Sequence, residues 1–577
     1  MNINEQANFI WSIADLLRGD FKQSEYGKVI LPFTVLRRFD CVLAPSKARI
    51  LEANKTLTVS NKRPIFKRMT GHDYYNISQF DFEKLMDDSN AIEANLRDYI
   101  NGFSEDVREI MDNFEIFGVI DKLSRANLLY LVVQRFAEID MSDTQIDNLE
   151  MGYMFEELIR RFSEQSNETA GEHFTPREVI ELMVEILLDP DMDEIATTDG
   201  KVITILDPAC GTGGMLSVAQ NKMQALNATT RVIPFGQELN PETYATCCSD
   251  MILKGNTNSR IVLGNSFNED GFQGQAFDYM LSNPPFGVEW KKVEKFIKDE
   301  AKNKGYSGRF GAGLPRISDG SFLFLQHLIS KMNAPENGGS RIGIVFNGSP
   351  MFSGDAGSGE SEIRRWIIEN DLLEAIIGLP DQLFYNTGIT TYIWILTNRK
   401  ENRRKGKVRL INGAGFYEKM RKGLGNKRNM ISPENRAEIV RLYSTYEPDE
   451  NYMDLDNDDF GYDDGRQVYE IEWYADGAKY DYEVAVATGE IINSGYEAKT
   501  VVGTGNSATV SEATAKQTAL ARVSGAMEKD IYEWKLDYDD GRPEYEGKII
   551  YGGSEYEFTI DATAGTITEW DAEVIHK

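Results

Sequence analysis

The chain has 577 residues, 62 basic and 92 acidic side chains, and a formal net charge of −30. At roughly 100–200 residues per domain it should hold three or four domains. A content of 41% hydrophobic and 27% charged residues excludes a mainly disordered chain. So acidic a chain is not built to grip nucleic acid over its whole surface; work on DNA needs a local basic cleft or a basic partner. The four cysteines (Cys41, Cys210, Cys247, Cys248) have no metal-type spacing, so neither a disulfide scaffold nor a metal site is expected. The opening MNINEQANFIWSIADLL has no signal-like apolar core. No apolar run reaches the ~18 residues of a membrane span. The expectation is a soluble, cytoplasmic protein without membrane contact.

Residues 1–165 read as a helical domain. Ile10, Ile13 and Leu17, and later Leu128, Leu129, Leu131, Val132 and Phe136, recur near helical spacing. From residue 201 the rhythm changes. Short apolar runs (Val202–Leu206, Arg231–Gln237, Ile261–Leu263, Tyr279–Leu281, Ile342–Phe346, Ala375–Leu379, Tyr392–Leu396) alternate with helical or loop stretches. That rhythm predicts a parallel sheet of βαβ units. Residues 451–577 hold 28 acidic and 10 basic side chains and 12 of the 26 tyrosines, so a boundary is expected near 450. Beyond it lies an internal repeat. YDDGRQVYEIEWYADGAKYDYEVAVATGEII from Tyr462 matches YDDGRPEYEGKIIYGGSEYEFTIDATAGTIT from Tyr538 at a gapless period of 76 residues. Alternation along each copy predicts half-buried strands, and a helix is expected from Glu512 to about Val523. Two small α+β units result, 451–500 and 501–577.

Three stretches carry chemistry. In ITILDPACGTGGM (203–215) a strand runs through Asp207 and Pro208 into a Gly-rich turn and a helix. Glycines let backbone approach a ligand, and a helix start favours an anionic group. Glu238 ends the next strand, where a carboxylate can take both ribose hydroxyls. In YMLSNPPFG (279–287) a strand delivers Asn283, Pro284, Pro285 and Phe286 beside that cleft. Each stretch alone is a weak signal; their joint order and spacing are specific.

DPACGTGG followed by NPPF resembles the amino-methylating DNA methyltransferases that use S-adenosylmethionine. GEHFTPREV (171–179), RFGAGLPRISDGSFLFLQHLI (309–329), NGSPMFSGDAGSGESEIRRWI (347–367) and LPDQLFYNTGITTYIWIL (379–396) are similar to the modification subunits (HsdM) of type I restriction-modification systems. The resemblance covers about residues 5–460. It implies a multidomain α and α/β protein: an N-terminal helical domain (1–165), a Rossmann-like methyltransferase domain (166–450) and C-terminal small α+β repeats. It also implies a site-specific adenine-N6 DNA methyltransferase. Its partners would be double-stranded DNA, a specificity subunit that supplies target choice, and a restriction subunit where the system has one, with two modification subunits per complex.

By the same resemblance Asp207 binds the methionine amino group. Cys210, Gly211, Thr212, Gly213 and Gly214 line the cofactor loop, and Glu238 holds the ribose. Asn265 and Ser266 of GNSF contact the cofactor adenine, Asn265 through its amide oxygen where many relatives carry Asp. Glu172, His173, Phe174, Thr175, Pro176 and Arg177 close over the cofactor, His173 without a catalytic role. Adenine N6 is a poor nucleophile because its lone pair is delocalised into the ring. The Asn283 side-chain oxygen and the Pro284 carbonyl can accept its two N–H bonds and localise that lone pair, Pro284 and Pro285 keep the backbone rigid, and Phe286 can stack on an extruded base. No covalent nucleophile is needed, so Cys210 is read as a small buried residue. Lys419, Arg421, Lys422, Lys427 and Arg428 form a basic loop open to two readings, phosphate contact or simple solvation.

The repeats resemble PepSY domains, the first lacking its leading helix unless Asn435 to about Tyr443 serves. A solvated sheet, a protein-binding module and a DNA-mimicking inhibitor remain three readings of this tail. Other functions stay open beside DNA methylation: a catalytically silent binding protein working through its tail, and methylation of RNA or of a protein glutamine.

Overall fold

Ile10 and Leu17 of the short helices Ile3–Ser12 and Ala14–Leu17, and Ile13 at the turn between them, are all buried, as their spacing suggests. The computed structural model describes residues 3–165, 175–256, 258–354, 357–385, 388–424, 426–457, 468–475, 478–485, 491–498, 507–539 and 542–574. It divides into two units, Met1–Phe460 and Gly461–Lys577. The helical region of the first unit wraps the 31-residue helix Tyr26–Thr56. The helix Leu129–Ala137 buries Leu129, Val132, Val133 and Phe136, but Leu131 is 42% exposed and leaves the expected stripe. Arg38 is buried and donates to the carbonyls of Met141 and Ile146 and to Asp143 and Asn148. It thereby ties the long helix to the segment leading into the sheet domain. Ala245 and Leu253 of the helix Pro241–Leu253 belong to the same core, so helical region and sheet domain pack as one body.

The sheet strands are β1 (Val202–Asp207), β2 (Arg231–Glu238), β3 (Arg260–Leu263), β4 (Tyr279–Ser282), β5 (Arg341–Phe346), β6 (Leu373–Gly378), β7 (Tyr392–Thr397) and β8 (Lys407–Asn412). A hairpin follows, β9 (Glu418–Leu424) and β10 (Lys427–Met430), and then β11 (Tyr452–Asp456). Nine of these form one sheet in the order β11-β8-β6-β7-β5-β4-β1-β2-β3. The expected all-parallel sheet is corrected to a mixed one: β7 runs antiparallel to β5 and β6, and β11 to β8. Apolar runs could not reveal this, because a strand buried on both faces reads the same in either direction. The sheet continues through β11 beyond residue 450, and the division between units falls at 460/461.

At the centre Arg341 and Glu374, both fully buried, share an ion pair of 2.6 Å. The Tyr443 hydroxyl donates to Glu374 and accepts from Arg341, joining β5 and β6 to the helix Pro433–Ser444. Ile439, Leu442 and Tyr443 of that helix lie in the sheet-domain core.

The second unit is one sheet of β12 (Val468–Ala475), β13 (Ala478–Ala485), β14 (Ile491–Ala498), β15 (Ile531–Asp539), β16 (Arg542–Tyr551), β17 (Ser554–Asp561) and β18 (Ile567–Val574). The order is β12-β13-β14-β18-β17-β16-β15. Pairing repeats with the sequence period: Tyr469 faces Val484 as Tyr545 faces Ile560, and Tyr480 faces Tyr496 as Tyr556 faces Ala572. Across the junction Gly495 faces Asp571, its own counterpart in the repeat, so the two copies meet about a local two-fold axis. The helix Glu512–Arg522, capped by Ser511, buries Ala515 and Ala519 against Tyr545, Ile549, Phe558 and Trp570. The two expected small units thus share one continuous sheet. In the first copy the equivalent helix position falls on Pro433–Ser444, which serves the other unit's core. No helix among the described residues is long and apolar enough to cross a membrane.

Candidate active site

The carboxyl ends of four neighbouring parallel strands, β3-β2-β1-β4, bring the expected residues to one edge. This is where open α/β sheets bind ligands. Asp207 ends β1 and is 2% exposed. Its carboxylate accepts from the Ala209 N–H at 3.0 Å and the Ser282 hydroxyl at 3.1 Å. Burial raises its pKa to about 7 despite those bonds. Ser282, which the sequence reading passed over, therefore joins the end of β4 to the end of β1.

Past Asp207 the backbone turns through Gly211 (φ 54°) and Gly213 (φ 83°) into the helix Gly214–Leu226. A Cβ on Gly213 would lie 2.7 Å from Cys247 Sγ, so both the left-handed backbone and the packing require glycine there. Around Gly211 a Cβ would meet nothing, so that face of the loop is open. Thr212 is half-buried beside it. Cys210 is buried 4.0 Å from Cys247 Sγ, and that neighbour together with burial holds its thiol pKa well up. It is a packing residue, not a nucleophile.

Glu238 ends β2. Its carboxylate accepts from Gly211 N–H at 2.9 Å and Asn240 N–H at 2.8 Å, which ties the Gly-rich turn to the next strand. After β3, Asn265 Oδ1 accepts from the Phe267 N–H at 2.9 Å, closing a local turn. An amide oxygen has a second lone pair for a ligand. The Ser266 hydroxyl donates to the Pro208 carbonyl at 2.5 Å, joining this loop to that of Asp207.

After β4 the chain passes through Asn283, buried Pro284, and half-buried Pro285 and Phe286, the last packed on the sheet-domain core. Asn283 Nδ2 donates to Thr175 Oγ1 at 2.9 Å. Asn283 Oδ1 is buried and has no hydrogen-bond partner among the described residues. An orphaned buried acceptor costs about 1–3 kcal/mol, so this position suits an incoming donor.

Not every expected residue joins this edge. Glu172, His173 and Phe174 lie outside the described residues. Thr175 bonds the amide of Asn283. Pro176 starts the helix Arg177–Leu188, and Arg177 pairs with Glu181 and Glu156, facing the helical region. In the basic loop, Lys427 is buried, paired with Glu178 and bonded to the carbonyls of Leu383 and Asn429. It is withdrawn from any phosphate. The described residues contain no group of His, Cys, Asp or Glu able to hold a metal ion.

Comparison with known proteins identifies the family. The family model for N-6 DNA methylase matches residues 146–466, the HsdM N-terminal domain model residues 6–136, and the peptidase propeptide and YPEB (PepSY) domain model residues 509–571. The type I restriction enzyme MjaIX methylase subunit of Methanocaldococcus jannaschii is 26% identical over 463 residues, 78% of each chain. The MjaVII methylase subunit of the same organism is 27% identical over 62% of this chain and 59% of its own. The solved type I restriction-modification methyltransferase subunit of Streptococcus thermophilus has the same fold, with TM-score 0.63 at 22% identity, covering 79% of this chain and 96% of its own. The chain belongs to the N-6 DNA methylase family, as a DNA methyltransferase of the type I HsdM class that carries a PepSY-family segment near its C-terminus.

Proposed function

We propose that the chain methylates the N6 amino group of an adenine in double-stranded DNA, using S-adenosylmethionine, as a modification subunit whose target is chosen by a specificity subunit. The observation that carries the reading is the buried oxygen of Asn283, without a partner among the described residues, at the carboxyl edge beside a cofactor-type loop. A buried carboxylate (Asp207), an open glycine face (Gly211) and a strand-end carboxylate (Glu238) fit an ammonium, a close backbone approach and a ribose. When bound, S-adenosylmethionine supplies an electrophilic methyl group on a sulfonium.

The chain's residues do the rest. Asp207 takes the methionine ammonium as a carboxylate, Glu238 the ribose hydroxyls, and Asn265 and Ser266 face the adenine end. Asn283 Oδ1 and the Pro284 carbonyl accept the two N–H bonds of the target amino group, which turns its lone pair away from the ring. Thr175 holds the Asn283 amide, and Phe286 stacks on a base extruded from the duplex. Residues 1–165 and 166–460 form the helical and methyltransferase domains, and the two repeat copies lie in 461–577. Assembly is proposed as two modification subunits with one specificity subunit.

The test is tritiated methyl transfer to genomic DNA, followed by digestion to nucleosides, with the chain alone and with a specificity subunit. N6-methyladenine only with the partner supports the reading. A labelled product that is not N6-methyladenine, or none with either preparation, overturns it.

A further inference from the structure

The stretch RFGAGLPRISDG (309–320) contributes no group to the proposed chemistry, yet it touches both halves of the edge. Arg309 lies largely buried between the helices Glu294–Lys304 and Ser321–Ile329. Every N–H of its guanidinium fork finds an acceptor. Nε and Nη2 meet the Glu300 carboxylate, Nη2 at 2.6 Å. Nη1 donates to the Ser266 carbonyl at 2.9 Å and faces His327 Nδ1 at 3.2 Å. Nη2 also donates to the Phe267 carbonyl at 2.5 Å. His327 is fully buried, and burial with Arg309 beside it holds its pKa well below the usual range, so its ring is a neutral acceptor. Phe267 packs its ring on Phe324 at 4.6 Å. The other end of the stretch holds the backbone behind Phe286: Trp290 donates to the carbonyls of Arg316 and Ile317, and Gly320 N–H to Val288.

A planar fork with five donors suits this task. Two backbone carbonyls and a carboxylate must be satisfied together in a buried place, which lysine, with one compact ammonium, cannot do in the same geometry. The pinned carbonyls belong to the loop that carries Asn265. We propose that Arg309 is a positioning residue for the adenine end of the cofactor: braced by Glu300 and His327, it fixes the 265–267 backbone so that Asn265 Oδ1 can accept from the adenine amino group. This rests on the cofactor reading above.

The prediction concerns base selectivity, which general loosening of the fold would not alter. An amide oxygen accepts from the amino group of adenine and is opposed by the carbonyl of hypoxanthine. Calorimetry on the full chain with S-adenosylhomocysteine and S-inosylhomocysteine therefore reads the device directly. The unmodified chain prefers the adenosyl ligand. Arg309→Lys should lose at least tenfold in affinity for it, change little for the inosyl ligand, and leave kcat at saturating cofactor within threefold. Glu300→Gln and His327→Asn should lower the preference at least threefold, and they carry the test if the lysine variant fails to fold. An unchanged preference in the variants that fold, or an equal loss for both ligands, overturns the proposal. If the unmodified chain binds neither ligand, the cofactor reading itself falls and this proposal with it.

Discussion

The two halves of the carboxyl edge differ in how far the protein satisfies itself. On the cofactor side Asp207, Glu238, Asn265 and Ser266 all have hydrogen-bond partners within the chain. On the target side Asn283 Oδ1 has none among the described residues. The first half is a preformed cradle that stands without its ligand. The second keeps one acceptor in reserve, which the account gives to a donor that arrives only with substrate. Binding and chemistry should therefore separate under mutation.

Asn283→Ala should remove the largest effect, about 10²–10³-fold in single-turnover methyl transfer, the usual loss for one preorganised polar contact in a reacting site. Asp207→Ala should act in reverse, weakening S-adenosylmethionine binding by one to two orders of magnitude in calorimetry because a charge-assisted contact to the ammonium goes.

The pH dependence sharpens the same contrast. With its pKa raised to about 7, Asp207 is increasingly protonated below neutrality, so cofactor affinity should drop about tenfold from pH 7.5 to pH 6. The stability sign is opposite. A carboxyl that holds its proton better folded than unfolded contributes stability at low pH, and loses it as pH rises from about 4 to about 7. A shift of that size is on the order of 4 kcal/mol. Asp207→Asn should therefore raise the unfolding midpoint of the ligand-free chain at pH 8 and barely change it at pH 4; equal shifts at both would contradict the linkage.

The smallest effect is expected at Thr175→Val, which removes the acceptor of Asn283 Nδ2. About 1 kcal/mol of lost positioning is roughly fivefold in kcat, with cofactor affinity unchanged. A loss in affinity instead would return Thr175 to the cofactor side, where the resemblance put it.

Much of this edge was legible in the sequence because it depends on local patterns. Asp207, the glycines, Glu238 and Asn283 each follow an apolar run, and a strand that ends on a polar residue announces a sheet edge. The repeat was legible because its period has no gap, and the pairings of β12, β13 and β14 recur at that period in β16, β17 and β18; the pairing of β15 with β16 has no counterpart among the described residues. Strand direction was not legible: β7 is as apolar as the parallel strands of the sheet, and only its pairing with β5 and β6 decides its sense. Arg309 escaped because it bonds backbone carbonyls 42 and 43 residues away, which leave no trace in residue type. Lys427 misled in the opposite way. Its basic neighbours suggest a solvated loop, but its partner Glu178 lies 249 residues earlier. Leu131 shows that an apolar residue at helical spacing can still face water.

The most direct test of the division between cradle and acceptor is Asn283→Ala measured twice on the same preparation, for S-adenosylmethionine affinity and for single-turnover transfer to DNA with a specificity subunit present. The account predicts affinity within twofold of the unmodified chain and transfer lost by at least a hundredfold. Comparable losses in both, or transfer that survives, would contradict it.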